Sequence, residues 1–282
     1  MKKISLTRKN TNIGHLILVT PQFPLAHFPN PEYMIPAIED QPEIRIDTKA
    51  ARALQFLLRQ IRSGNQIAAV SGFRTQAEQE KIWNDTLKEQ GLAFTQKFVA
   101  VPGHSEHQTG LAIDLGENKE AIDFICPDFP NQGICRKFRQ SAPVFGFIER
   151  YPLGKEMVTG IGAEPWHFRY VGFPHSMIMT EQNRTLEEYI SFLKVNTDLE
   201  NPYMYDTGTK VIAISYIPVV DEERIEMPLP DRTPYQFSGT NEGGMVLSMN
   251  WKAKQRLWVK ESEEDWNVQN GSGLDRTGFG QS

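Results

Sequence analysis

The feature that most constrains the fold of this chain is an apolar stripe that follows Asp47. Apolar residues recur at intervals of three and four from Ala50 to Ile61, which is the period of a helix with one buried face. Asp47 is a good N-cap for such a helix, and Gly64 is a good signal for its end. The sequence therefore predicts a core-facing helix between these two residues.

Short strand and helix patterns follow this helix. Thr75 and Glu78 have the spacing of a capping box, which predicts a helix that runs to Gly91. Further helices are predicted over 134–144 and 186–194, and strands over 66–70, 108–115, 147–151 and 166–171. We expect an α+β fold, in which a few antiparallel strands form one wall of a cleft and helices pack behind them. Residues 10–45 are rich in proline and are predicted to be irregular.

The pattern changes near Asn201 and Pro202. Residues 210–220 and 245–251 alternate as strands do, and turn residues at 241–244 precede the second segment. These segments predict a small C-terminal all-β appendage. The last 31 residues are rich in Gly, Ser and charge without a sustained period, which predicts a poorly ordered tail. The expected domains are residues 1–200, with a Pro-rich N-terminal segment, the appendage over 201–251 and the tail over 252–282.

Composition and charge exclude two classes of protein. The chain has 30 Lys and Arg against 35 Asp and Glu, a net charge of −5, so it lacks the basic excess of a nucleic-acid-binding protein. No apolar run approaches the roughly 18 residues of a membrane span.

The basic start, Met1-Lys2-Lys3, does not continue as a secretion signal, because the only apolar stretch near it is Leu16–Val19. We therefore expect a cytoplasmic protein, in which Cys126 and Cys135 are ordinary thiols, although an oxidising compartment would allow a disulfide.

Three separate segments of the chain contain residue types that are common in catalytic sites, and the first two lie around Arg74 and between His107 and Asp114. Arg74 lies between a predicted strand and a predicted helix, where a side chain can project into a cleft. His107 and Asp114 stand seven residues apart with Gly110 between them, and a small residue allows close backbone approach. Histidine and carboxylate are ligands that zinc accepts. Each of these residues alone is better explained as a surface or core side chain, and His104, a rival ligand, is better interpreted as an exposed loop histidine.

The third segment contains Glu164 and His167, three residues apart. In an ideal strand these side chains point to opposite faces, so a bend at Pro165 is needed to bring both to one metal. Two histidines and one carboxylate with an open fourth position are typical of a catalytic zinc site, which makes hydroxide available at neutral pH. Glu164 could carry the proton to a leaving amine, and Arg74 could stabilise the developing oxyanion. The combination predicts a peptidase or amidase with one zinc ion per chain.

The order of the motifs is more specific than any one of them. Ser-Gly-x-Arg at 71–74, S-x-H-x-x-G-x-A-x-D at 105–114 and E-x-W-H at 164–167 together resemble the LAS zinc metallopeptidases, and most of all the VanY and VanXY D,D-peptidases. The resemblance covers residues 45–195. It implies the α+β fold that this family shares with the hedgehog signalling domain. It also implies removal of D-Ala from D-Ala-D-Ala or from peptidoglycan precursors, which would support glycopeptide resistance.

The resemblance also implies roles for individual side chains, with a small peptide as the partner. They are His107, Asp114 and His167 as zinc ligands, Glu164 as the catalytic base, Arg74 as the arginine that stabilises the transition state, Ser105 and more weakly Gln79 as substrate-binding residues, and Trp166 as a wall of the pocket.

Three alternatives stay open at this point. An L,D-carboxypeptidase acting on tetrapeptides would use the same catalytic parts and differ only in the shape of its pocket. Ser191 and Lys194 match the S-x-x-K pattern of serine peptidases, but the companion K-T-G is missing. A non-catalytic zinc-containing binding module is the third, and it would not need Glu164 or Arg74.

Overall fold

The fold is taken from a computed structural model, which describes residues 2–219, 224–229 and 231–251. The tail predicted over 252–282 lies outside the described residues. The helices are α1 (Thr48–Ile61), α2 (Gln76–Gln90), α3 (Leu92–Phe98), α4 (Gly133–Ser141), α5 (Glu156–Thr159), α6 (His175–Glu181) and α7 (Leu186–Asn196). The strands are β1 (Lys2–Leu6), β2 (Met34–Ile38), β3 (Gln41–Asp47), β4 (Ile67–Ser71), β5 (Ala112–Glu117), β6 (Phe147–Tyr151), β7 (Glu164–Tyr170), β8 (Tyr203–Asp206), β9 (Val211–Pro218), β10 (Ile225–Leu229), β11 (Tyr235–Gly239) and β12 (Gly244–Trp251).

A four-stranded antiparallel sheet, in the order β4-β5-β7-β6, forms the centre of the N-terminal part of the fold. The apolar sides of α1 and α4 pack against it, with Leu54, Leu57, Phe138 and Phe168 in one buried cluster. The mixed helix and antiparallel-sheet fold predicted from the sequence is therefore confirmed. In this sheet Asp114 of β5 lies directly opposite His167 of β7, so the register of two strands fixes the distance between them.

Helix boundaries follow the predicted local signals closely. The Asp47 carboxylate accepts hydrogen bonds from the backbone of Lys49 and Ala50 and so begins α1 as predicted. The helix ends at Ile61, and Arg62, whose backbone is left-handed (φ 57°), caps it two residues before the expected glycine. Thr75 caps α2 through the predicted capping box.

Two segments differ from the sequence-based expectation. The strand predicted over 108–115 begins only at Ala112, because residues 106–109 form a 3-10 turn that ends at Gly110 with φ 72°. Residues 10–45, predicted to be irregular, contain the hairpin of β2 and β3. Pro36 and Pro42 lie in these strands, and prolines weaken a strand prediction although an edge pair tolerates them.

The C-terminal strands form the all-β part predicted from the sequence. A second antiparallel sheet has the order β11-β12-β9-β8, and β10 pairs with the N-terminal β1. Side chains of β9 and β12 share a buried cluster with α6, α7 and with Leu16 and Leu18. Residues up to Trp251 group into one compact unit, and the domain boundary at residue 200 stays a prediction.

Two further sequence expectations concern cysteines and membranes. Cys126 and Cys135 are free thiols in this structure. Among the helices in the described part of the chain, none has the length and apolarity to cross a bilayer.

Candidate active site

Three buried side chains converge where β5, β7 and the 3-10 turn before β5 meet. His107, Asp114 and His167 each offer one ligand atom, and these atoms all lie within 4.8 Å of one another. Asp114 and His167 come from paired strands, whereas His107 comes from the turn that Gly110 closes. The sequence-predicted ligand set is thus brought together in one place, with two ligands on a rigid sheet.

Hydrogen bonds direct one nitrogen of each imidazole toward the shared centre. His107 Nδ1 lies 2.7 Å from the Gly72 carbonyl oxygen, which accepts a hydrogen bond from it, so that Nε2 faces Asp114 Oδ2 at 3.1 Å. His167 Nδ1 lies 2.9 Å from Asp114 Oδ1. Burial alone would raise the pKa of Asp114, but the adjacent His107 and His167 lower it well below the usual range. The carboxylate is therefore an anion.

This donor set fits a divalent metal ion. Two imidazole nitrogens and one carboxylate oxygen are three ligands that such ions accept, and the cleft beside them leaves room for a fourth. Without a metal, the carboxylates around His167 outweigh the effect of burial and raise its pKa to about 9. The structure therefore concentrates negative charge at the point where a cation would lie.

Glu164 lies beside the ligands, at the start of β7. Its Oε2 is 3.7 Å from His167 Nδ1. The strand is irregular here, because Glu149 of β6 pairs with Phe168 while Tyr151 pairs with Glu164, so that β7 contains extra residues. This irregularity corresponds to the bend that the sequence required at Pro165. Burial raises the pKa of Glu164 to about 8, which suits a group that takes up and releases a proton near neutral pH.

Arg74 reaches the same cleft from the loop between β4 and α2. Its Nη2 lies 3.4 Å from Asp114 Oδ2, and its Nε and Nη2 donate to Ser71 Oγ at 2.9 and 2.7 Å. Gln79 Oε1 accepts from Nη1 at 3.3 Å. The guanidinium is therefore held in one orientation beside the ligand group.

The three residues predicted to bind substrate occupy different positions. Ser105 and Trp166 line the cleft together with Arg74 and Glu164. Gln79 is fully buried behind Arg74, and its amide nitrogen donates to the Ala100 carbonyl oxygen at 2.8 Å. The geometry connects Gln79 to Arg74, and a direct substrate contact for it stays a prediction.

Two rival assignments lie elsewhere in the structure. His104 Nδ1 is 2.8 Å from the Thr20 carbonyl oxygen, and His104 does not belong to the ligand group. Ser191 and Lys194 are exposed on α7, away from the lining of the cleft.

Sequence reasoning missed a group of charged residues behind His167. Glu106 lies between Arg150 and Arg169, and Glu187 pairs with Arg150 on the far side. Burial alone would raise the pKa of Glu106, but the two arginines lower it well below its usual range. One feature of the sequence could have indicated this charged group, because Arg150 and Arg169 each stand next to aromatic residues inside a predicted strand. Large cations at such positions need buried partners.

Comparisons with known proteins agree on one family. Residues 43–173 match the VanY family, described as D-alanyl-D-alanine carboxypeptidase. The chain is 44% identical over 179 residues to the bifunctional D-Ala-D-Ala dipeptidase and D-Ala-D-Ala carboxypeptidase VanXYC of Enterococcus gallinarum, which covers 63% of this chain and 94% of that protein.

Solved structures give the same result. The vancomycin resistance D,D-dipeptidase VanXYg, in complex with a D-Ala-D-Ala phosphinate analogue, superimposes with a TM-score of 0.85 at 45% identity and covers 89% of this chain and 99% of its own. The LD-carboxypeptidase LdcB has a TM-score of 0.52 at 32% identity, over 62% of this chain and 84% of its own. With nearly the whole length of VanXYC and VanXYg matched at such identity, this chain belongs to the VanY family of D-alanyl-D-alanine carboxypeptidases.

Proposed function

We propose that this protein is a zinc-dependent D,D-peptidase that removes the terminal D-Ala from D-Ala-D-Ala and from peptidoglycan precursors that end in it. The observation that carries the proposal is the convergence of His107, Asp114 and His167 beside Glu164 and Arg74 in one cleft. One zinc ion per chain would be held by the first three residues. The similarity to VanXYC and VanXYg supports the substrate class.

The chemistry divides between the ion and the protein. Zinc bound at this site would supply the positive charge that makes a water molecule acidic near neutral pH. Glu164 takes the proton from the attacking water on its carboxylate and delivers it to the nitrogen of the departing D-Ala. The water oxygen bonds to the carbonyl carbon as the C–N bond breaks. Arg74, whose guanidinium lies 3.4 Å from Asp114 Oδ2, would stabilise the oxygen on which negative charge develops.

Ser105 and Trp166 hold the substrate in this scheme. Ser105 is almost fully buried at the wall of the cleft, where its hydroxyl can donate to the terminal carboxylate of the substrate. Trp166 lines the cleft and also packs in the buried core cluster, so it forms a fixed wall. A peptide with a free terminal carboxylate is the ligand that these positions favour.

The test combines a metal assay with product analysis. We expect purified protein to contain one zinc per chain and to release D-Ala from D-Ala-D-Ala and from a stem pentapeptide. A chelator should abolish release, and penicillin should not. A zinc-loaded protein that left both peptides intact would overturn the proposal. Full activity in the presence of a strong chelator would do the same.

A second candidate substrate follows from the similarity to the LD-carboxypeptidase LdcB. An enzyme of that specificity would cleave the terminal residue of a tetrapeptide, using the same catalytic groups. We expect this protein to prefer the pentapeptide, because its match to VanXYg extends over more of the chain. Rates on matched tetrapeptide and pentapeptide substrates decide between the two.

The proposed setting is a cell that resists glycopeptide antibiotics by depleting precursors that end in D-Ala-D-Ala. We further propose that the enzyme acts in the cytoplasm, on free dipeptide and on precursors before export. Susceptibility of a host that expresses the protein, compared with a Glu164→Ala variant, tests the first point. Cell fractionation tests the second.

A further inference from the structure

The imidazole of His167 has a carboxylate on each of its two nitrogen sides. Nδ1 faces Asp114 at 2.9 Å, on the side of the cleft. Nε2 faces the opposite way, 3.5 Å from Glu106 Oε2. His167 Nε2 and Glu106 Oε2 are both buried, and neither has a hydrogen bond to any other described group. The ring therefore has a second potential partner, outside the set of metal ligands.

The carboxylate of Glu106 is held by its other oxygen. Arg150 Nε donates to Oε1 at 2.8 Å, and Arg169 Nη1 lies 2.7 Å from the same atom. Because both cations contact Oε1, Oε2 keeps its lone pairs for His167. The direction in which Glu106 presents this oxygen is fixed by two guanidinium groups.

The two arginines are themselves anchored. Arg150 donates from Nη1 and Nη2 to both oxygens of Glu187, at 2.9 and 2.6 Å. Arg169 Nη2 donates to the backbone oxygens of His15 and Ile17, at 3.1 and 2.9 Å. The side chains of Glu106, Arg150 and Arg169 are completely inaccessible to solvent. Buried ion pairs of this kind are often no more stable than packed apolar residues, so stability alone does not account for them.

We propose that Glu106 is a positioning residue, which accepts the Nε2 proton of His167 and thereby keeps the Nδ1 lone pair directed at the metal. A carboxylate behind a metal-bound histidine fixes the tautomer and the orientation of the ring, and makes the nitrogen ligand more basic. The inference rests on the proposed function, because it concerns the metal site. In this inference, Arg150 and Arg169 fix the orientation of the Glu106 carboxylate.

A glutamine at this position reverses the hydrogen bonding without changing the shape. In Glu106→Gln the amide oxygen would face Arg150 and Arg169, because both are donors. The amide NH₂ would then face His167 Nε2 and favour the tautomer with its proton on Nδ1. That proton occupies the lone pair that the metal needs. The variant should therefore bind zinc more weakly while its fold is kept.

Glu187→Gln is the matched control. It removes one negative charge from the same cluster and from the same Arg150, but Glu187 contacts the guanidinium on the side away from Glu106. Zinc affinity is measured by competition with a chelator for wild type and both variants, and circular dichroism checks the fold. We expect affinity to fall by about 10- to 100-fold in Glu106→Gln. We expect Glu187→Gln to bind zinc as wild type does.

A second measurement needs no variant that might misfold. In zinc-loaded wild type labelled with ¹⁵N-histidine, the His167 ring should carry its proton on Nε2 and bind zinc through Nδ1. A proton on Nδ1 would overturn the inference. Equal zinc affinity of Glu106→Gln and wild type, or an equal loss in both variants, would also overturn it. Wild type that binds no zinc at all would instead remove the proposed function on which the inference depends.

Discussion

The two sides of the His167 ring are built from the same residue types and differ in their surroundings. On the cleft side Asp114, Glu164 and Arg74 line the open cleft. On the far side Glu106 and its arginines are sealed from solvent. Each side thus combines carboxylates with guanidinium groups around one imidazole.

The difference appears most clearly in the two glutamates. Burial raises the pKa of Glu164 to about 8, and the charges around it do not reverse this shift, because His167 and Arg74 lower the pKa while nearby carboxylates raise it. Glu106 is at least as deeply buried, yet Arg150 and Arg169 lower its pKa far below the usual range. A buried carboxylate therefore becomes a proton carrier or a fixed anion according to the number of cations that touch it. The cleft side should control turnover, and the sealed side should control metal geometry and stability.

The largest effect is expected for Glu164→Gln. The amide cannot take up the proton of the attacking water, so turnover of D-Ala-D-Ala should fall by about 10²- to 10⁴-fold. Zinc content should stay at the wild-type level, because Glu164 is outside the ligand group. Steady-state kinetics and metal analysis of the same preparation check both statements. Unchanged turnover would show that another group carries the proton.

The sealed side should respond to Arg150→Met by losing stability. Removing Arg150 leaves Glu187 without this partner and Glu106 with one arginine, which should cost about 3–5 kcal/mol of unfolding free energy. Lys155→Met is the control, since the partly exposed pair of Lys155 with Glu188 should contribute about 1 kcal/mol or less. Urea unfolding of the metal-free proteins measures both. If Arg150→Met and Lys155→Met lost equal unfolding free energy, burial of the Arg150 ion pairs would add nothing to their effect on stability.

The arginine on the cleft side should behave in the opposite way. Arg74→Ala removes a donor for the developing oxyanion, so kcat should fall by about 10²- to 10³-fold. Its contacts with Ser71 and the buried Gln79 are lost as well, and Gln79 Oε1 is left without this donor, so the unfolding free energy should fall by about 1–3 kcal/mol, less than in Arg150→Met. Kinetics that separate kcat from KM provide the check. An effect on KM alone would assign Arg74 to substrate binding rather than to the transition state.

The sequence predicted the cleft side far better than the sealed side. The cleft side is encoded in short motifs, in which the spacing of His107 and Asp114 and of Glu164 and His167 already suggests a metal site. Glu106 stands in one of these motifs, but its partners are 44 and 63 residues further along the chain. Their contact depends on the register of β6 and β7, which local patterns do not specify.

Local fold predictions failed for a similar reason. The turn that holds His107 was predicted as a strand from Gln108 onward, although that strand begins only at Ala112. Its actual shape depends on Gly110, whose carbonyl accepts from the backbone of Asp47 in a distant segment. Helix starts at Asp47 and Thr75 were predicted well, since a cap is decided by neighbouring residues.

The smallest effect is expected deeper behind the sealed side, at His175. Its Nδ1 is 2.7 Å from the Tyr189 hydroxyl and its Nε2 is 3.0 Å from Ser248 Oγ, and the His15 ring lies beside it. Burial lowers the pKa of His175 to about 3. At a pH below the usual histidine pKa, the unfolded chain therefore binds a proton at His175 that the folded protein does not bind. The unfolding free energy is highest above that pKa and falls as the solution becomes more acidic.

Between pH 7 and pH 5 this single histidine should reduce the unfolding free energy by about 2 kcal/mol. His175→Gln keeps one hydrogen-bonding group and cannot titrate, so its loss over the same interval should be smaller than that of wild type by this amount. The groups of the cleft are common to both proteins and cancel in the difference, whereas His15, whose pKa burial and His175 both lower, shifts the difference in the same direction. Urea unfolding at the two pH values measures it. Parallel losses in the two proteins would show that the buried His175 is protonated as readily as a histidine in the unfolded chain, and that sealing does not extend this far from the cleft.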